Sequence, residues 1–171
     1  MLFRSGVTSL EQWLAAKTMV KFGAIAVGDG TYDVPKVAEF ALGLPIQIVS
    51  GYKGTAPIRL AFESGEVGGL SNSWQSFRST WRKELERDEL AIVVQISAKP
   101  HADLPKVPLA VTFAKNDEAR KLLQAVAQAH GAAVRPYLMP PGTPKDRVEI
   151  LRKAFVEVVK DPELLADATK A

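Results

Sequence analysis

Three times in its first half the chain runs from an apolar stretch straight into a small, glycine- or serine-rich turn that opens a helix. Phe22–Val27 meets Gly28-Asp29-Gly30-Thr31, Ile46–Ser50 meets Gly51-Tyr52-Lys53-Gly54-Thr55, and Val67–Leu70 meets Ser71-Asn72-Ser73. Apolar strands alternating with helices at this short spacing predict βαβ units and a right-handed parallel sheet. In such a sheet all three turns fall at the carboxyl ends of the strands, the edge where open α/β sheets bind ligands. Each turn also presents helix-N-terminal N–H groups with a partial positive charge. A small anion is the ligand such an edge suits.

The elements around these turns can be read from capping and periodicity. Thr8-Ser9-Leu10-Glu11 has the form of a capping box and opens a helix with Leu10, Trp13 and Leu14 on one face, ending near Met19. Pro35 sits in the first turn of the next helix, which packs through Val34, Val37, Ala38 and Ala41 and stops at Gly43. A third helix over Pro57–Ser64 turns Ile58, Ala61 and Phe62 inward. Trp74, Phe77 and Trp81, then Leu85, mark a longer one, and Leu90–Ile96 has the continuous apolar character of a buried parallel strand. Together these predict an α/β ligand-binding lobe over residues 7–98.

Composition changes after that point. Lys99–Pro108 carries three prolines and reads, with the residues up to 116, as a connector or hinge. Residues 117–171 predict a helix Asp117–His130 stopped by Gly131, and a strand Ala133–Leu138. They also predict a helix with Thr143 as N-cap, Pro144 at its first position and a stripe of Val148, Leu151, Phe155 and Val158. Asp161-Pro162 caps a last short helix. One strand and three helices make no sheet alone, so this segment is expected to be part of a second lobe.

Several function classes are disfavoured on composition. Apolar residues make up 47% and charged residues 24%, as in ordinary globular protein. The net charge of +3 is spread out, as in Lys83–Glu89, so no basic stripe marks a nucleic-acid footprint. Cysteine is absent, which removes disulfides, thiol nucleophiles and thiolate metal sites. No apolar run reaches the roughly 18 residues of a membrane span. Met1–Gly6 lacks the apolar region of a signal peptide. Leu2-Phe3-Arg4-Ser5 coincides with what a common sequencing adapter encodes, so these residues are expected to be foreign and the true amino-terminal part to be missing. His101 and His130 stand in a proline-rich stretch and at a helix end, away from any G-x-S-x-G elbow, and neither a Walker A run nor G-x-G-x-x-G occurs.

The candidate site residues each have a plainer alternative. Gly28, Asp29, Gly30 and Thr31 either hold a carboxylate by N–H groups and the Thr31 hydroxyl, or form a tight turn in which Asp29 or Thr31 caps a helix. Asp29 in particular sets a negative charge beside an anion site. Tyr52 either contacts the ligand or covers the rim, Lys53 either attracts it or is solvated, and Gly54 and Thr55 provide backbone shape and a free N–H. Ser71, Asn72 and Ser73 offer short polar groups, one of them as an N-cap. Trp74 lies on the apolar stripe and is expected in the core.

Gly51-Tyr52-Lys53-Gly54-Thr55-Ala56, followed by Leu60-Ala61-Phe62-Glu63-Ser64-Gly65-Glu66-Val67-Gly68-Gly69, resembles the substrate-binding receptors of the tripartite tricarboxylate transporters, the Bug family. Arg135-Pro136-Tyr137, Pro140-Pro141-Gly142-Thr143-Pro144, Leu151-Arg152-Lys153-Ala154-Phe155 and Lys160-Asp161-Pro162-Glu163 are similar to the carboxyl-terminal part of one subgroup. The resemblance implies a periplasmic-binding-protein type II-like lobe, with a parallel-rich sheet flanked by helices, plus a partial second lobe. It further implies a non-enzymatic periplasmic receptor for a small carboxylate, with no cofactor. Its partners would be membrane transporter subunits, met through the full-length protein, with no nucleic acid and no membrane insertion of its own. The chain departs from the family by lacking the opening lobe and the segment after Lys170. The alternatives are the effector domain of a LysR-type regulator, which would need a helix-turn-helix upstream, and a small α/β hydrolase or transferase.

Overall fold

The centre of the fold is a strand whose last three residues, Phe22, Gly23 and Ala24, are buried. Leu2–Phe3 (β1), Val20–Ala24 (β2), Ile46–Ser50 (β3), Gly69–Leu70 (β4) and Ala91–Ile92 (β5) form one sheet in the order β3-β2-β4-β1-β5. The computed structural model describes residues 1–3, 6–132 and 137–170. β2 pairs in parallel with β3 from Val20–Ile46 to Ala24–Ser50, and with β4 through Phe22 and Gly69. This is the parallel three-strand set that the strand–turn–helix rhythm predicts. The crossing from one side of β2 to the other puts helix Gly30–Leu42 (α2) and helix Thr55–Glu63 (α3) on opposite faces.

Side-chain alternation along β2 divides the core in two. Phe22 points toward Leu10 and Trp13 of Leu10–Leu14 (α1), Ala38 and Ala41 of α2, and Leu123 of Asp117–Ala132 (α6). The Trp13 and Phe22 rings stack with centroids 5.5 Å apart. On the other face Ile58 and Phe62 of α3 meet Val67, Leu70, and Phe77 and Trp81 from Trp74–Thr80 (α4) and its end.

The apolar run Leu90–Ile96 is not a fourth parallel strand. Only Ala91–Ile92 is strand, paired antiparallel to β1, which is itself antiparallel to β4. The Met1 amino group donates to the Val94 carbonyl at 2.9 Å, and the Val93 N–H to the Met1 carbonyl at 3.2 Å. Leu2–Phe3, expected to be foreign to the fold, thus joins β4 to β5. Beyond it a single parallel bridge links Gln95 to Leu109. The buried Gln95 side chain then organises the proline-rich stretch: it donates to the Leu104 and Val107 carbonyls and accepts from the His101 N–H.

Four local readings are corrected by hydrogen bonding. β2 ends at Ala24 because the next amide, Ile25 N–H, donates to Thr31 Oγ1, and Val27 is exposed. The capping box lies one residue later than expected. Ser9 Oγ accepts from Gln12 N–H and Gln12 Oε1 accepts from Thr8 N–H, and the helix ends at Leu14. Trp81, at φ −127° and ψ 37°, interrupts the helix read through Leu85, so that Arg82–Glu86 (α5) is separate. Finally α6 continues through Gly131 to Ala132.

The chain divides into the units Met1–Ala133 and Val134–Ala171. Helix α6, grouped by composition with the C-terminal residues, contacts α2 within the first unit. The second unit holds Lys145–Val158 (α7) and Pro162–Lys170 (α8). Residues 133–136 of the expected strand lie outside the described residues, and Tyr137 and Leu138 are not in a strand. Pro144, not Thr143, is the N-cap of α7, and the Thr143 hydroxyl donates to the Pro140 carbonyl. Asp161 Oδ1 accepts from the Glu163 and Leu164 N–H groups, the cap expected for α8. Leu151, Phe155 and Val158 of the expected stripe are about half exposed, at 54%, 50% and 52%. A single helix of this length is marginal in water without a packed face. Amide exchange in Lys145–Val158 is therefore expected to run far faster than in β2 and β3; equal protection would show that this helix is packed.

Candidate functional site

The three turns converge, as their strands require, on one cavity of about 190 Å³ within the first unit. Thr31 comes from the β2–α2 turn, Thr55 and Ala56 from the start of α3, and Ser71 and Asn72 from the residues after β4. Ile58, Arg59, Leu70, Ser76, Ser79, Thr80 and Trp81 complete the lining. Gly28, Asp29, Gly30, Tyr52, Lys53, Gly54 and Ser73 do not line it.

The first turn supplies its own anions. Asp29 is the N-cap of α2, accepting from both the N–H and the hydroxyl of Thr31, while Thr31 Oγ1 accepts from Ile25 N–H. Asp33 Oδ1 accepts from Gly28 N–H at 3.0 Å. The amides that a bound carboxylate would use here already carry one, which is the plainer of the two readings of this turn. The third turn is closed in a similar way by a neutral group. Ser73 Oγ caps α4 by accepting from Ser76 N–H, and Asn72 Oδ1 accepts from Ser73 N–H.

The second turn differs. Gly51 and Gly54 take φ of 108° and 142°, left-side conformations that only glycine adopts without strain. Gly54 is the N-cap of α3 and makes no side-chain cap hydrogen bond. Among the described residues, α3 is the one of these three helix starts whose N-cap makes no side-chain hydrogen bond, and its Thr55 and Ala56 line the cavity. Tyr52, between the two glycines, lies over β2 instead: its hydroxyl donates to Glu66 Oε1 at 2.6 Å. Burial, then the Glu66 carboxylate, pushes the Tyr52 hydroxyl up to about 12. Lys53 is exposed.

Sequence reading missed Arg59, Ser76, Ser79, Thr80 and Trp81, which complete the lining. Arg59 lies one turn after Thr55, at i+4 on the same helix face, a spacing visible in the sequence. Its Nε is 2.7 Å from Glu63 Oε1, which also accepts from Trp81 Nε1–H at 3.1 Å. Outside the cavity, half-buried Trp74 packs against the core and donates from Nε1 to Asp103 Oδ2 at 2.9 Å, where Arg78 also bonds at 3.0 Å. The Trp74 N–H, aided by the charge of Arg78, holds the Asp103 carboxyl below its ordinary range. His101 Nδ1 accepts from Asp103 N–H at 3.1 Å. Among the described residues no group of three or more His, Cys, Asp or Glu is placed to hold a metal ion, and no helix is long and apolar enough to cross a membrane.

No family model and no curated protein matches the chain. Solved structures do. A TctC solute binding protein from Polaromonas, crystallised with no ligand, is similar at a TM-score of 0.55 and 18% identity, over 75% of this chain and 49% of that one. R. palustris Rpa4515 with adipate is similar at 0.54 and 18%, over 77% of this chain and 50% of that one. The chain therefore spans about half the length of each structure it matches. At that identity the likeness is one of fold, and it agrees with the resemblance carried by the Gly51–Ala56 and Leu60–Gly69 motifs. The chain has the mixed α/β fold of periplasmic-binding-protein-like TctC structures, with a parallel three-strand set flanked by helices.

Proposed function

We propose that this chain is the ligand-binding part of a solute receptor of the tripartite tricarboxylate transporter family, and that it holds a small carboxylate at the amino terminus of α3. The observation that carries this reading is the uncapped start of α3, with Thr55 and Ala56 facing a cavity, beside two helices whose starts are capped by Asp29 and Ser73. Free N–H groups and the helix dipole favour an anion there. Arg59 adds positive charge on the same wall, moderated by Glu63. Adipate, which accompanies R. palustris Rpa4515, is a molecule of this chemical type. The role assigns the whole protein a place outside the cytoplasm and membrane transporter subunits as partners. The mechanism is binding without covalent change.

Magnitude says what one lobe can do. A helix amino terminus contributes about 0.3–1 kcal/mol, up to about 2 when partly buried. Micromolar affinity needs about −8 kcal/mol. Without a second set of donors from the remaining half of a two-lobed receptor, millimolar binding is the expectation.

The test is calorimetry on the 171-residue chain with mono-, di- and tricarboxylates, repeated on Gly54→Val. A β-branched residue at φ 142° stores about 1–3 kcal/mol of strain, which is relieved by moving the Thr55 and Ala56 amides. Carboxylate affinity is expected to fall about tenfold, the equivalent of 1.4 kcal/mol. Unchanged affinity in Gly54→Val removes α3 as the site, and absence of carboxylate binding by the parent chain removes the receptor reading.

A further inference from the structure

Among the described residues of the first unit, three polar ones are more than nine-tenths buried: Thr31, Ser71 and Gln95, at 8%, 7% and 8% exposure. Thr31 bonds to Asp29 and Ile25, and Gln95 to Leu104, Val107 and His101. Ser71 is the exception. Among the described residues nothing bonds its hydroxyl, and it lines the cavity. The Ser71 oxygen is reached by solvent through the cavity and has no protein partner among the described residues, so a ligand oxygen can take the place of water there.

The surroundings limit what that atom is. Asn72 adjoins Ser71, and because its Oδ1 accepts from Ser73 N–H its amide N–H groups remain as donors. Thr80 contributes a further hydroxyl to the lining. Arg59, the cation of this cavity lining, is already paired with Glu63 at 2.7 Å. A second carboxylate beside Ser71 would lose its hydration for uncharged partners only, which is costly. An alkyl group there would displace the water that serves the Ser71 hydroxyl and return nothing. An uncharged oxygen replaces that water bond for bond.

We infer that Ser71 is a specificity-determining residue, selecting a carboxylate that carries an uncharged hydroxyl or keto oxygen over the unsubstituted acid. The inference rests on the carboxylate reading above and names the substrate class within it. A site that hydrogen-bonds a ligand oxygen discriminates against the analogue lacking it more sharply than an apolar pocket rejects an extra atom.

Glutarate, 2-hydroxyglutarate and 2-oxoglutarate share one carbon skeleton and are the probes, titrated by NMR into the full chain and into Ser71→Ala. At least one substituted acid is expected to bind about tenfold more tightly than glutarate, and the hydroxy and oxo arms tell the two oxygens apart. Ser71→Ala should cancel that advantage and leave glutarate within about twofold. It should also match or exceed the parent in thermal midpoint, since it deletes a hydroxyl with no protein partner. Three results overturn the inference: equal binding of all three acids to the parent, an advantage that survives in Ser71→Ala, or an equal loss of glutarate in that variant. The first, with Gly54→Val still weakening binding, leaves the carboxylate site standing. Failure of all three acids to bind the parent overturns the receptor reading and this inference together.

Discussion

Gly69→Val should cost the first unit about 3 kcal/mol or more, the upper end of the overpacking range. Gly69 has ordinary extended backbone, so the need for glycine is one of space. It sits opposite Phe22 in the parallel register of β2 and β4, and a Cβ there would press on three atoms of the Phe22 ring. That ring cannot retreat: Phe22 is fully buried and stacked on fully buried Trp13. Gly23 is the natural comparison. Its Cβ would meet the Ile58 Cγ2 methyl at 2.7 Å, on a single side chain with other rotamers. Gly23→Ala should therefore cost less than Gly69→Ala. Urea unfolding of Gly23→Ala, Gly69→Ala, Gly69→Val, Phe22→Leu and the Phe22→Leu/Gly69→Ala pair decides the matter. Phe22→Leu should relieve part of the Gly69→Ala cost, a non-additivity expected only of contacting residues. A neutral Gly69→Ala, or strict additivity of the pair, would show that the two strands do not approach as closely as described.

The same contact explains part of what the sequence conveyed. Within the stretch Val67–Leu70, read as a strand, Gly69 marks the place where an added Cβ would meet the Phe22 ring. The three parallel strands were legible because each is followed at once by its turn and helix, a local signal. β1 was not, because two residues that pair with strands some seventy and ninety positions away carry no periodicity. Leu90–Ile96 is apolar because Val93 and Val94 fill the core beside Trp13, and periodicity alone does not separate a buried irregular run from a buried strand. At the cavity, Thr31, Thr55, Ser71 and Asn72 followed from the convergence of the turns. Thr80 and Trp81 did not, because they reach it only where the helix breaks at Trp81. The sequence also left open whether Asp29 or a ligand serves α2, a choice that depends on the rotamer of one aspartate.

In the chain that begins at Met1, stability should rise between about pH 5 and pH 8, by a few kcal/mol in total. The α-amino group of Met1 is buried between β4 and β5 where it donates to the Val94 carbonyl, and desolvation pushes its pKa from 8.0 down to about 5. Above pH 8 the group is neutral in folded and unfolded chains alike, and its burial carries no proton penalty. Between the two values the unfolded chain holds a proton that the folded chain does not. The slope of unfolding free energy with pH is then positive, at most about 1.36 kcal/mol per unit. Below pH 5 both states are protonated and the loss is complete. The other displaced groups act elsewhere: Tyr52, raised to about 12, lowers stability in alkali, and Asp103, held below its ordinary 3.8, acts only in acid. Histidines ordinarily titrate inside the window, so the measurement belongs in a His101→Gln/His130→Gln background. Urea unfolding at half-unit steps from pH 5 to 8.5 gives the slope, and NMR titration of the 15N-labelled Met1 amine gives its midpoint. A midpoint near 5 with the rising slope is the expected pair. A midpoint near 8, or a flat profile in the histidine-free background, would place the Met1 amine in water and take away the anchor of β1.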